Sequence, residues 1–311
     1  MFRYIVRRLL QMVLAFFGTT MLVYAMMFAA QGDPIQALAG EKPVTVSQRI
    51  ALTQRYHLDK HGFGGFMYRY WDYVSHLLRG DFGVTLTGRP IGEVLTEAWP
   101  FTIKLALMAI TIVIVFGIVG GVIAGIRRGG IFDNTTLVLT LVVIGIPVFV
   151  LAYLSQYVLA NKWHIFKPTG NDGTLYSLLL PAIVLGLLSL ATAVRLTRTS
   201  VAENMRSDYV RTAKAKGLKW SRVVGVHVLR NSLIPVVTYI GITVGDLMAG
   251  AIVTESIFNV PGVGFQIAKG IRTEDGPVVV GIVSMLVIVY LMSNLIVDVL
   301  YAVLDPRIRY E

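Results

Sequence analysis

The sequence predicts an all-α protein that crosses a membrane six times. Hydrophobic residues make up 55% of the 311 residues and charged residues only 15%, with a mean hydropathy of +0.68. This composition is too apolar for an ordinary soluble domain. Six apolar stretches are each long enough to cross about 30 Å of hydrocarbon at about 1.5 Å per helical residue. One such stretch alone would fit a buried core helix, but six of them with charged connections favour membrane spans.

The predicted spans divide the chain into three regions. They are residues 9–30, 101–126, 136–160, 178–197, 232–253 and 278–304. The first run, Leu9 to Ala30, is 22 residues long. It exceeds the roughly 7–15 residues of a signal-peptide core, so it is predicted to stay as an uncleaved helix. Residues 1–30 then form the N-terminus and the first span, residues 31–100 a soluble outer insertion, and residues 101–311 the membrane core.

Basic residues set the predicted orientation. With the N-terminus on the cytoplasmic side, the inner segments 1–8, 127–135, 198–231 and 305–311, together with Arg195, hold 16 of the 28 basic residues. The short outer connections hold only Lys162, Lys167, Lys269 and Arg272. Lys and Arg in short loops favour the cytoplasmic side, whereas a long segment crosses largely regardless of its charge. Both termini are therefore predicted inside, and the net charge of +10 is an orientation signal, with no nucleic acid expected as a partner.

The outer insertion contains an aromatic stretch. Tyr68, Tyr70, Trp71 and Tyr73 lie in a sequence of helical appearance. Aromatic residues at this spacing fit an interfacial belt or a small packed core. A docking surface for an outside partner is the functional alternative.

The basic inner loop after the fourth span, residues 199–231, contains a predicted amphipathic helix at 202–216. Acidic residues lie towards its start and lysines at its end, an order that complements the helix dipole, and Gly217 fits a C-terminal cap. Met205, Tyr209 and Ala213 are expected to share one face. Such a helix either lies on anionic lipid or is presented to a cytoplasmic partner.

This loop resembles the signature loop of ABC-importer permease subunits, most closely their dipeptide, oligopeptide and nickel branch. The similarity is carried by DYVRTAKAKG at residues 208–217 and LRNSLIP at 229–235. It extends to RYIVRRL at 3–9, RGDFG at 79–83, TESIF at 254–258, PGVG at 261–264, DVLYA at 298–302 and DPRIR at 305–309. The Glu-Ala-Ala opening of the general motif would fall at residues 211–213, where only the second alanine is kept, a variant usual in the peptide branch.

The resemblance implies a division of labour in the cytoplasmic membrane of a bacterium. Such a subunit pairs with a second related permease, two cytoplasmic ATPase subunits (separate or fused) and an extracytoplasmic binding protein. The inner-loop helix would sit in an ATPase groove and convey its closure to the spans. The residues assigned to this coupling are Tyr209, Arg211, Thr212, Ala213, Ala215, Gly217 and Pro235. Peptides are the expected substrate, with nickel chelates, glutathione, haem or glycosides as alternatives.

Ionisable residues inside apolar spans are candidates for functional sites, because each costs roughly 2.5–3.5 kcal/mol on insertion scales. Asp246 lies midway along the fifth span, where it either faces a water-filled route or pairs with a neighbouring helix. Lys104 and Glu255 lie near span ends, from which a long side chain can extend to the interface.

Turn-forming residues supply the other candidates for a pathway or gate. Pro147 is expected to kink the third span, and kinked helices often surround transport routes. The connection 256–277, with Pro261 and Gly262, fits either a re-entrant gate or an ordinary outer loop. The candidate pathway and gate residues are therefore Asp246, Glu255, Pro147, Pro261 and Gly262.

Enzymatic function is not expected. The chain contains no cysteine, which excludes disulfides and thiolate chemistry. It has no phosphate-binding loop, so ATP would be bound by partner subunits and no other cofactor is expected. His57 and His61 have a spacing that suits a metal on a helix, but glycines follow them and no cluster of carboxylates accompanies them, so no metal is predicted. A secondary transporter or channel is the remaining alternative, although no inverted repeat is evident.

Overall fold

The computed structural model describes residues 2–28, 45–57, 59 and 62–304. The regular secondary structure within these ranges is helical, apart from one isolated β-bridge between Val84 and Pro90. The helices are α1 Phe2–Phe28, α2 Val46–Tyr56, α3 Gly62–Leu78, α4 Ile91–Ile126, α5 Ile131–Gly145, α6 Val148–Lys162, α7 Leu175–Asn204, α8 Asp208–Ala215, α9 Trp220–Ser232, α10 Ile234–Ile257, α11 Val263–Arg272 and α12 Gly276–Leu304. The predicted all-α fold class is confirmed. The predicted inner segment 305–311 lies outside the described residues.

Four of these helices, α1, α4, α7 and α12, are long and apolar enough to cross a membrane. Two bent pairs raise the number to six if each pair is one span: α5 with α6, bent by 105°, and α9 with α10, bent by 49°. The sharper bend follows from Pro147, which precedes α6 with ψ 140°. Proline disfavours a helical conformation in the residue before it and cannot donate to the preceding turn. The expected kink in the third span is therefore a complete break.

The chain folds as two compact units, residues 1–102 with 261–311, and residues 103–260. In the first unit an aromatic cluster joins α3 to α1. Tyr24 and Tyr70 are each 1% exposed, with ring centroids 5.8 Å apart. The Tyr70 hydroxyl donates to the carbonyl of Phe17 at 3.0 Å and lies 3.0 Å from Thr20 Oγ1. The aromatic stretch of the outer insertion is thus a small packed core around Tyr70, as one of the structural interpretations predicted.

The same helix α3 also contacts α12. The Tyr73 hydroxyl donates to Ser284 Oγ at 2.5 Å, and Ser284 lies within the apolar part of α12. Tyr68 and Trp71 of α3 are 46% and 54% exposed, and the Trp71 ring also contacts Phe17 of α1, with ring centroids 5.5 Å apart. Helix α3 therefore packs along two membrane helices and does not stand free of them.

In the second unit, α4 and α7 approach each other through glycines. Gly117, Gly121 and Gly125 recur at every fourth residue of α4 and face α7. A Cβ atom at Gly121 would lie 2.4 Å from Thr197 Cβ, and one at Gly125 would lie 2.8 Å from the carbonyl oxygen of Arg198. No side chain fits at either position. Small residues at this spacing let helix backbones pack closely in lipid, where van der Waals contact replaces the hydrophobic driving force.

Candidate functional site

The loop after α7 folds as two helices, α8 and α9, around a small apolar cluster. Val210 and Ala213 of α8 are 0% and 5% exposed. They pack with Val201 at the end of α7 and with Val223 and Val228 of α9. Burial of these side chains, worth roughly 1.5–3 kcal/mol for each fully enclosed valine, holds α8 against both neighbours. We refer to α8 and α9 together as the loop platform.

Helix α8 begins at Asp208 and not at 202 as predicted. Residues 202–204 complete α7, which ends at Asn204, and Ser207 then adopts an extended backbone with ψ 153°. The Ser207 hydroxyl donates to the carbonyl of Asn204, a local bond by which serine competes with continuation of a helix. The prediction of one helix over 202–216 is therefore wrong, because a turn at 205–207 divides it.

The later start also changes which residues share a face. Val210 and Ala213 face the cluster, whereas Tyr209 is 38% exposed and its hydroxyl donates to Asn204 Oδ1. Met205 packs against the cluster from the turn that precedes the helix. The predicted face of Met205, Tyr209 and Ala213 is therefore wrong for Tyr209.

Gly217 ends α8 as predicted. Its φ of +73° is left-handed, a conformation that glycine adopts without the strain a Cβ atom would cause. The Gly217 N–H donates to the carbonyl of Lys214 at 2.9 Å, and the Leu218 N–H donates to that of Ala213 at 3.3 Å. This pair of bonds is a Schellman motif, with Leu218 packing on the apolar cluster. The glycine cap is confirmed.

The predicted coupling residues divide into an outer and an inner set. The exposed set comprises Tyr209, Arg211, Thr212, Ala215 and Gly217. Ala213 faces inward and is enclosed by the apolar cluster. A partner that contacted α8 would therefore meet the exposed set, while Ala213 supports the helix from behind.

The loop platform is connected directly to α10. Ser232, fully buried at the end of α9, donates from Oγ to the carbonyl of Ser200 in α7 at 3.3 Å. After the 49° bend, Pro235 occupies the first turn of α10, where its missing N–H has no helical partner to lose. Pro235 therefore lies at the junction between loop and span, where it was predicted.

An ion pair that the sequence did not indicate lies beside this loop. Arg198 of α7 donates from Nε and Nη2 to the two carboxylate oxygens of Asp133 at 2.8 and 2.7 Å. The Gly129 N–H also donates to Asp133, at 2.8 Å. Asp133 is fully buried, and the Arg198 side chain is 17% exposed. The two-pronged geometry fastens the α4–α5 connection to the end of α7. The sequence signal was weak: one acidic residue in the first turn of a helix within a basic connection.

The two candidate carboxylates of α10 lie in different environments. Asp246 is exposed at the middle of the helix, whereas Glu255 is fully buried near its end. The expectation that Glu255 extends to an interface is therefore wrong, because the surrounding chain encloses its side chain. Lys104 is exposed.

The remaining gate candidates lie at helix boundaries. Pro147 precedes α6, which packs against α7 and α10 in the second unit. Pro261 and Gly262 precede α11 in the first unit, and the Val263 N–H donates to Thr102 Oγ1 at 2.8 Å. The buried residues of α11 are Val263, Gly264, Ile267 and Gly270. The connection 256–277 thus contains a short amphipathic helix packed on its own unit.

The long apolar helices and the loop platform that joins α7 to α10 define a polytopic membrane protein. The chain belongs to the family of binding-protein-dependent transport system inner membrane components, whose family model matches residues 117–310.

Three relatives match along all of both chains. The dipeptide transport system permease protein DppB of Escherichia coli K12 is 34% identical, and the di/tripeptide transport system permease protein DppB of Pseudomonas aeruginosa is 36% identical. The glutathione transport system permease protein GsiC of Escherichia coli K12 is 32% identical. The resemblance to the dipeptide and oligopeptide branch of importer permeases is confirmed.

Proposed function

We propose that this chain is one of two permease subunits of an ATP-driven importer of short peptides. The observation that carries the proposal is the similarity to permeases of dipeptide, di/tripeptide and glutathione systems over the full length of both chains. The partners are a second permease, ATPase subunits on the cytoplasmic side and an extracytoplasmic binding protein. ATP hydrolysis takes place on the ATPase subunits.

Both termini lie in the cytoplasm in this proposal, and residues 31–100 face outward. The distribution of Lys and Arg supports this orientation, because the connections that would lie inside carry most of the basic residues. A reporter fused within 127–135 should read cytoplasmic, and one within 31–100 should read outside. A cytoplasmic signal from the 31–100 segment would reverse the proposed orientation.

The loop platform transmits ATPase closure to the membrane. Its exposed residues Tyr209, Arg211, Thr212 and Ala215 form the contact with the ATPase. Two features of the platform support this role. Its buried valines make it a rigid body, and its junction at Pro235 continues directly into α10. A displacement of α8 would therefore be delivered to α10 and not absorbed by a flexible linker.

Asp246 lines the route of the substrate. An ionised carboxylate at mid-span costs roughly 2.5–3.5 kcal/mol when it faces hydrocarbon, so its exposed position favours a water-filled route or the second permease as its neighbour. Asp246→Asn should lower peptide uptake while ATPase subunits still co-purify. Unchanged uptake by this variant would remove Asp246 from the route.

The absence of cysteine makes the ATPase contact directly testable. A Thr212→Cys variant, exposed on α8, should form a disulfide with a cysteine in the ATPase groove when the complex is oxidised. Ser221→Cys, exposed on α9 in the same loop, is the matched control and should react much less. Equal reaction of both variants, or none at Thr212→Cys, would contradict the assignment of α8.

The transport activity itself is tested in proteoliposomes. The chain, reconstituted with its second permease, ATPases and binding protein, should accumulate a labelled dipeptide only when ATP and the binding protein are both present. The chain alone should not hydrolyse ATP above background. Dipeptide accumulation without ATP, or hydrolysis by the isolated chain, would refute the proposal.

A further inference from the structure

A groove between α1 and α12, within the first unit, is not used by the proposed transport mechanism. It has a volume of about 290 Å³ and is lined by Arg8, Gln11, Met12, Ala15, Leu291, Asn294 and Leu295. Its lining has a polar part and an apolar part. One end carries a guanidinium and two amides, from Arg8, Gln11 and Asn294, and the rest of the wall is apolar.

The polar end of the groove lies at the edge of the bilayer. Arg8 directly precedes the apolar run that begins at Leu9. Asn294 lines the same groove from the facing helix α12. A molecule in the groove would therefore place its polar part among headgroups and its apolar part beside acyl chains.

Charge in the same region favours an anionic occupant. Arg8 is the charged residue among the described residues that line the groove, and a basic group between membrane helices suits an anionic lipid headgroup.

We propose that this groove is a binding site for one anionic phospholipid. Arg8, Gln11 and Asn294 donate hydrogen bonds to the phosphate, and an acyl chain lies along Met12, Ala15, Leu291 and Leu295. With the proposed orientation, the lipid belongs to the cytoplasmic leaflet. The site itself does not depend on the transported substrate, so failure of the peptide proposal would leave it intact.

Native mass spectrometry of the delipidated full chain in detergent tests the site, with phosphatidylglycerol as the probe. The parent chain should retain one phosphatidylglycerol in preference to phosphatidylcholine with the same acyl chains. Arg8→Gln should weaken phosphatidylglycerol binding by about tenfold or more, because hydrogen bonds to a charged group are the strong ones. Glycerophosphoglycerol, which has the headgroup without acyl chains, should not bind.

Two further variants keep the result interpretable. Arg7→Gln removes the same charge from an exposed neighbour that does not line the groove, and it should leave binding unchanged. Leu291→Trp fills the groove without altering any charge and should also abolish lipid retention, while size-exclusion profiles confirm that each variant is folded. Equal weakening by Arg7→Gln and Arg8→Gln would show general surface attraction and overturn the proposal. Retention of the lipid by Leu291→Trp would overturn it as well.

Discussion

Breaking the Asp133–Arg198 pair is the sharpest test of the described structure. Asp133→Asn keeps the shape of the side chain but removes its charge. The amide has a single oxygen acceptor, and its NH2 group would point at the guanidinium in either orientation, and in one of them at the Gly129 N–H as well. The three hydrogen bonds that Asp133 accepts, at 2.7–2.8 Å, cannot all survive. The guanidinium of Arg198 is left with little access to water, since its side chain is 17% exposed.

The expected loss of folding free energy is about 3 kcal/mol. Removing one partner of a buried ion pair typically costs about 3–5 kcal/mol, and the partial exposure of Arg198 places this case at the lower end. A loss of that size corresponds to roughly a 100-fold change in the unfolding equilibrium. Arg198→Lys keeps the charge but loses the two-pronged geometry, so it should cost less, roughly 1–2 kcal/mol.

Unfolding of the purified variants in mixed detergent micelles, followed by denaturing-detergent titration, measures these differences. Lys167 and Asp172 supply the matched control, because their Nζ–Oδ2 distance is also 2.7 Å but their side chains are 47% and 38% exposed. Water and salt screen such a pair, so Asp172→Asn should leave the titration midpoint unchanged. The reasoning fails if Asp172→Asn destabilises as much as Asp133→Asn, or if Asp133→Asn matches the parent.

Three other experiments probe the packing and placement of the helices. Gly121→Ala should destabilise the chain by about 1–3 kcal/mol in the same titration, because the added methyl group overpacks against α7. Gly120→Ala should be neutral, since its Cβ would lie 3.8 Å from its nearest neighbour. Equal effects of the two variants would refute the close approach of α4 to α7. Gly217→Val should strain the left-handed cap by about 1–2 kcal/mol. The variant should reach the membrane in normal amounts but recover less ATPase on co-purification. Gly225→Val, at an open position, should leave ATPase recovery unchanged. A variant with Trp71 as its only tryptophan should be quenched by aqueous iodide, because residues 31–100 are proposed to face outward, and quenching by brominated lipid alone would place α3 inside the bilayer.

The all-α fold class, the basic inner loop and the cap at Gly217 could be predicted from the sequence because each depends on local chemistry. An apolar stretch of sufficient length enters lipid whatever its neighbours are. A glycine after a lysine-rich helix end relieves a strain that arises within a few residues. Pro147 broke its span for the same reason, since the clash it causes lies in the adjacent turn.

Tertiary structure decided three other features: which face of α8 is buried, the environment of Glu255 and the pairing of Asp133 with Arg198. Each depends on residues distant in sequence that the fold brings within a few ångströms, such as positions 133 and 198. The close approach of α4 to α7 at Gly121 was also decided by tertiary structure, because the sequence of an apolar helix does not show which of its glycines faces another backbone. Local sequence therefore determined which segments are apolar helices and that Pro147 and Gly217 interrupt or end a helix. Packing between segments decided which side of each helix is buried and which charges are paired, since those free energies arise only from contacts across the fold.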